Sequence, residues 1–190
     1  MSIINSLNKR RSYYNIKKSS PISDEEIIKL VQDVVAGVPD AYNMQSAKVV
    51  LALGKKQDEL WDAIYDVFDG QVKREKIDSF KAGYGTILYF LDKDIVKGMQ
   101  DQFPLYAENF DIWSNQANGM LQHSMWVALR EKELGASLQH YNPVIDDAVK
   151  KMFNVPASWK LIAQMPFGEI VEEPGEKELH PIDERVKIFK

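Results

Sequence analysis

Cysteine is absent from the 190 residues, and histidine occurs only at positions 123, 140 and 180. Without thiols the chain forms no disulfide, iron–sulfur cluster, thiolate zinc site or cysteine nucleophile, and the lack suits a reducing compartment. The three histidines do not pair at ligand spacing, which argues against a histidine-built metal site. A basic surplus is missing too: 24 Lys and Arg against 28 Asp and Glu give a net charge of −4, a poor balance for a general nucleic-acid binder. No apolar run reaches the length of a membrane span. The N-terminus, Met-Ser-Ile-Ile-Asn-Ser-Leu-Asn-Lys-Arg, has neither the apolar region nor the cleavage site of a signal peptide. G-x-S-x-G, H-E-x-x-H, P-loop and G-x-G-x-x-G patterns are also lacking. The expectation is a soluble, cytoplasmic protein with no nucleic-acid or membrane partner.

What is present is the composition of an ordinary globular domain, 45% apolar and 27% charged. No repeat or linker divides it, so residues 1–190 read as one domain. Ser23 and Glu26 form a capping box, with Ile22 and Ile27 as a hydrophobic staple. Ile27, Val31, Val34 and Val35 then recur at helical spacing up to Gly37, which is read as an αL stop. Lys48–Leu53 and Tyr84–Leu91 read as strands, the second buried on both faces. Leu60, Trp61, Ile64, Val67 and Phe68 mark a helix over 57–68, while 92–110 stays ambiguous around Phe103-Pro104. A long helix from about Trp113 to Leu134 looks buried nearly all round, with Gly135 as its stop. Asn142-Pro143 is read as a helix start, Trp159–Phe167 as a third strand ended by Gly168, and Arg185–Phe189 as a terminal strand or arm. The class is α+β.

Three clusters carry candidate chemistry, and each has a plainer reading. Lys9-Arg10-Arg11-Ser12 holds a phosphate, through guanidinium forks and a hydroxyl, or is a solvated basic turn. Pro39 to Gln45 either aims the amides of Asn43 and Gln45 at a heterocycle or merely shapes a loop. Arg185 and Lys187, alternate residues of an extended segment, either meet one anion or protect a strand edge. His140 is open between a structural and a site role.

Together these stretches resemble the nitroreductase family of FMN-dependent oxidoreductases, in the branch of small bacterial and fungal-type proteins. The matching segments are Arg10-Arg11-Ser12-Tyr13-Tyr14, Pro39-x-x-x-Asn43-x-Gln45, Gly135-Ala-Ser-Leu-Gln-His-Tyr-Asn-Pro143, Met165-Pro-Phe-Gly168 and Arg185-x-Lys187, in that order. The resemblance covers essentially the whole chain. It implies a mainly antiparallel sheet wrapped by helices and an intertwined homodimer. A C-terminal arm of about 172–190 would cross to the partner, and FMN sites would lie at the subunit interface. It implies further that Arg10, Arg11 and Ser12 contact the FMN phosphate and flavin edge, that Arg185 and Lys187 contact the same phosphate, and that Asn43 and Gln45 address the flavin, with Pro39 to Tyr42 lying over it from the other subunit. A backbone N–H of Leu138, Gln139 or His140 would approach flavin N5.

Two departures stand out. Ser46-Ala47 replaces the Pro-Trp common after Gln45, and Tyr14 replaces a cation usual near flavin N1 and O2. The function implied is ping-pong transfer from NAD(P)H to a small organic acceptor such as a nitroaromatic or quinone, without a catalytic side chain. The alternative is a flavin-binding regulatory or stress-response protein with incidental reductase activity. Phe103, Tyr106, Phe110 and Trp113 are assigned either to an aromatic lid or to core packing.

Overall fold

In the computed structural model, which describes residues 2–190, β5 (Trp159–Ile170) is the strand around which the others are arranged. Met1, where the N-terminal reading begins, lies outside the described residues. One edge of β5 pairs antiparallel with β3 (Gly85–Asp92) and, past its end, with β1 (Ile16–Lys17). The other edge takes β4 (Leu134–Ala136) and then a bridge between Gln139 and Gln164. β2 (Ala47–Leu53) pairs antiparallel with β3 and forms the far edge. The expected antiparallel sheet is therefore present.

Eight α-helices surround it among the described residues: α1 (Ile3–Lys9), α2 (Asp24–Gly37), α3 (Lys55–Phe68), α4 (Arg74–Lys81), α5 (Lys93–Gln102), α6 (Ala107–Glu131), α7 (Asp146–Phe153) and α8 (Ile182–Arg185). Residues Gly85–Leu91 of β3 are all buried. Ile87 and Tyr89 face Ile27, Leu121 and Met125, whereas Leu88 and Phe90 face Trp61, Phe80 and Val149. Helices on both faces explain why this strand is apolar without alternation.

The capping box forms as read: Ser23 Oγ accepts from the Glu26 N–H at 3.3 Å, and Glu26 Oε2 from the Ser23 N–H at 3.0 Å. Several boundaries differ. Gly37 stays inside α2, and Val38 caps it in an extended conformation. The long helix starts at Ala107, and the chain turns after it through Glu133 at φ 60°. Gly135 belongs to β4, where a Cβ would stand 2.7 Å from Ile170 and 2.8 Å from Tyr13. Gly168 likewise lies within β5, since a Cβ there would meet the Lys17 carbonyl at 2.5 Å. Both glycines admit neighbouring chain rather than end an element. Asn142-Pro143 lies in the turn before α7, which Ile145 opens. Residues 186–190 pair with no strand; the short α8 ends at Arg185, and Val186 after it is extended.

Nor is α6 buried all round in one chain. Its inner stripe includes Ser114, Asn118 and Gln122, whereas Ile112 and Met120 are exposed. The sheet covers only one side of it.

Candidate functional site

At one corner of the sheet, the chain leaving α1 runs beside β4. Ser12 forms a parallel bridge with Ala136, and the Tyr13 N–H donates to the Ala136 carbonyl at 2.9 Å. Trp126 of α6 ties this corner together: its Nε1 donates to the same carbonyl at 3.0 Å, and the Arg10 guanidinium lies 4.4 Å from its ring centre. Arg10 Nε is buried with no hydrogen-bond partner. Burial, and then the neighbouring Arg11, hold the Arg10 pKa below its usual value. A partly desolvated cation with an unfilled donor is what an anion completes. Nothing in the sequence sets Trp126 apart from the other apolar residues of its helix.

The 138–140 segment continues from β4 along the edge of β5. Gln139 exchanges both backbone hydrogen bonds with Gln164, at 2.7 and 2.9 Å, and Gln164 Oε1 accepts the Tyr141 N–H at 2.8 Å. Because alternate groups of an extended chain point to opposite sides, the N–H groups of Leu138 and His140 turn away from β5, whereas that of Gln139 is occupied. The available backbone donors thus belong to Leu138 and His140. Gln164, fully buried, is a residue sequence reading missed.

Residues 172–177 lie across the basic segment and enclose with Arg10–Asn15 a cavity of about 660 Å³. Arg11 Nη2 donates to the Gly175 carbonyl at 2.6 Å. The Tyr13 hydroxyl donates to Glu173 and accepts from Arg130 Nε, both at 3.1 Å. The volume lies in the range of small-ligand pockets. Tyr14 is exposed here, and Lys76 of α4 stands 5.0 Å over its ring. Lys17 and Lys18 are instead paired with Glu169 and Asp58.

Asn43 and Gln45 stand at the opposite corner, where the chain enters β2. Tyr42, Asn43 and Gln45 adopt φ of 54°, 51° and 52°, a conformation unfavourable for residues with a side chain and concentrated at functional segments. Asp40 Oδ2 accepts from both the N–H and the Oγ of Ser46, at 2.9 and 2.8 Å. The Tyr42 ring packs on Phe103, Phe110 and Trp113 at centroid distances of 4.9, 5.4 and 5.9 Å. Tyr106 joins Trp113, but Phe110 is fully buried and serves the core. Beside this loop Pro39 and Gln45 border an apolar groove of about 570 Å³ along Val31, Val35, Val49 and Leu121.

The registers Ala136↔Phe167, Phe167↔Gly85 and Gly85↔Leu53 locate the two corners on one sheet. Ser12 and Gln45 are four strand spacings apart laterally and the length of β2 apart lengthwise, on the order of 30 Å along the sheet. One chain therefore does not unite them. Arg185, the last residue of α8, and Lys187, whose Nζ donates to the Asp183 carbonyl at 2.9 Å, lie in an exposed tail.

The unpaired Arg10 donor, the outward N–H groups and the cavity fit a flat heterocycle bearing a phosphate. Known proteins resemble the chain over most of its length. The sequence model of the Nitroreductase family matches residues 7–169. The chain is similar to the putative nitroreductase HBN1 of Saccharomyces cerevisiae, 30% identical over 189 residues, 98% of this chain and 96% of that one. It superposes on the nitroreductase CinD from Lactococcus lactis in complex with nicotinic acid, with TM-score 0.94 and 41% identity over the full length of both chains. Complexes of CinD with chloramphenicol and 4-nitrophenol match at a TM-score of 0.93. A putative nitroreductase from Exiguobacterium sibiricum in complex with FMN shares the fold, at TM-score 0.76, 12% identity and coverage of 100% and 98%.

Proposed function

The chain belongs to the nitroreductase family, and from that premise we propose that it is an FMN-dependent oxidoreductase using NAD(P)H to reduce small aromatic acceptors such as nitroaromatics or quinones. Family membership supports an oxidoreductase; the flavin, the nicotinamide and the ping-pong order are our reading. The observation that carries it is the half-buried Arg10, its Nε buried without a partner, stacked on the Trp126 that bonds to Ala136, two residues before the outward N–H group of Leu138. When bound, FMN supplies the redox chemistry, and the protein holds and orients it.

In this reading Arg10 and Ser12, joined by Arg185 and Lys187 of the arm, hold the phosphate, and Arg11 divides its donors between Gly175 and that phosphate. The N–H groups of Leu138 and His140 serve the N5 and O4 edge. Asn43 and Gln45 come from a second copy of the chain, with the segment from Pro39 over the flavin. A homodimer unites the two corners and covers Ile112 and Met120 of α6. It also accounts for residues 172–190 as an arm crossing to the partner: Leu179, Ile182, Ile188 and Phe189 are exposed in it. CinD complexes with 4-nitrophenol and chloramphenicol support aromatic acceptors.

A tyrosine where the family carries a cation is one ground for the alternative, a flavin-binding regulatory or stress-response protein with incidental reductase activity. Lys76, whose Nζ stands over the Tyr14 ring, offers a cation beside that residue and supports the enzyme reading. Lys76→Gln is therefore expected to lower the flavin midpoint potential by about 30 mV, which corresponds to roughly 1.4 kcal/mol for two electrons. Spectroelectrochemical titration checks this, and an unchanged potential assigns Lys76 to covering Tyr14 and Phe80.

The purified protein is expected to be yellow, to release FMN on denaturation, and to scatter light as a dimer at micromolar concentration. Saturable NADH or NADPH oxidation with a quinone should accompany these properties. A colourless protein that also binds no added FMN would overturn the assignment.

A further inference from the structure

The loop that carries Asn43 and Gln45 is held in an uphill conformation, and something in the chain must hold it there. Three of its residues with side chains, Tyr42, Asn43 and Gln45, sit at positive φ, although none is glycine. Backbone bonds account for part of the shape: the Asp40 carbonyl accepts the Asn43 N–H at 2.9 Å, and the Ala41 carbonyl the Met44 N–H at 3.1 Å. Buried Met44 packs with Val96 and Phe110. These contacts fix the start and middle of the loop but not its exit.

The exit is closed by Asp40 and Ser46. Ser46 is fully buried, and its carbonyl accepts the Asp92 N–H at 2.9 Å, so it is anchored to the sheet. Its N–H and Oγ both donate to one oxygen, Asp40 Oδ2. The other oxygen, Oδ1, is buried without a partner. A half-buried carboxylate with one oxygen enclosed and unpartnered is a costly way to pack a loop. Its position is explained by what it does: it ties the first residue of the strained loop to the first residue held by the sheet. Proline at 46 would offer neither donor, and alanine only the N–H.

We propose that Asp40, acting through Ser46, is a positioning residue that sets the direction of the Asn43 and Gln45 amides. The proposal rests on the assignment of those amides to FMN. It makes flavin affinity and electronic environment sensitive to two side chains that need not touch the flavin.

The test uses the full-length protein, with FMN titrated into apoprotein and visible circular dichroism and midpoint potential recorded on the reloaded form. Asp40→Ala is expected to weaken FMN binding about tenfold, the loss of one to two charge-assisted hydrogen bonds' worth of preorganisation. The flavin dichroism and potential should change with it. Ser46→Ala removes a single oxygen and should produce a smaller shift of the same kind, which keeps the test decisive if Asp40→Ala fails to fold. Ser46→Thr retains both donors and should behave as wild type. Lower thermal stability with unchanged FMN affinity, dichroism and potential would reduce the pair to loop closure and overturn the proposal. A Ser46→Thr protein as impaired as Ser46→Ala would do the same, by showing that volume matters and the hydrogen bond does not. Wild-type protein that binds no FMN overturns the cofactor assignment together with this inference, whereas wild type that binds while both alanine variants bind equally well overturns this inference alone.

Discussion

Arg10→Ala is expected to weaken FMN binding by about 10- to 100-fold, the equivalent of one charge-assisted contact of roughly 1.5–3 kcal/mol. The guanidinium is already oriented over Trp126, and Trp126 is in turn held by the Ala136 carbonyl. Little ordering remains to be done when an anion arrives, so little of the contact's strength is lost to it. The same variant should leave the apoprotein at least as stable, because it removes a partly desolvated cation with an unpaired donor. Arg10→Lys retains the charge without the planar fork and should recover only part of the affinity. Fluorescence titration of the apoprotein with FMN reads the effect. An unchanged dissociation constant would mean that Arg10 serves only to cover the indole.

Trp61→Ala is expected to show the opposite pattern, a large loss of stability with the phosphate corner intact. Trp61 is fully buried on the sheet face opposite Met125 and Leu129, with the Phe80 ring 4.9 Å away. Its Nε1 donates to Thr86 Oγ1 at 2.9 Å, Thr86 donates to Gln57 Oε1 at 2.6 Å, and Gln57 Nε2 donates to the Phe80 carbonyl at 2.9 Å. Truncation leaves a cavity and one unmet acceptor in that relay, at a cost of about 3–5 kcal/mol. For a chain of this size that lowers Tm by roughly 10 °C or more. Trp61→Phe keeps most of the ring and breaks only the hydrogen bond, at about 1 kcal/mol. Urea and thermal unfolding of the apoprotein measure both. A Trp61→Ala protein within a few degrees of wild type would refute this account of the core.

Local order was legible wherever its cause lies within a few residues. The Ser23–Glu26 box, the period of α2 and α3, and the unbroken apolar run of β3 all come from side chains acting on their own turn or pleat. The motifs around Arg10, Asn43, Leu138 and Arg185 were enough to carry a resemblance to the family, which the family model and the yeast relative bear out. Composition excluded thiol chemistry outright.

Tertiary structure decided the rest. Gly135 and Gly168 look like helix and strand stops in sequence, yet they lie inside strands because Tyr13, Ile170 and Lys17 approach them from distant parts of the chain. Only α4 brings Lys76 over the Tyr14 ring, and the choice between lid and core for Phe110 falls to the core because Val96 and Met44 enclose it. Arg10 meets Trp126 across 116 residues of sequence, 126 minus 10. Such pairings follow from where helices settle on the sheet, which depends on summed burial over the whole chain. A short stretch of sequence encodes its own period and caps, but not which remote side chain will desolvate it.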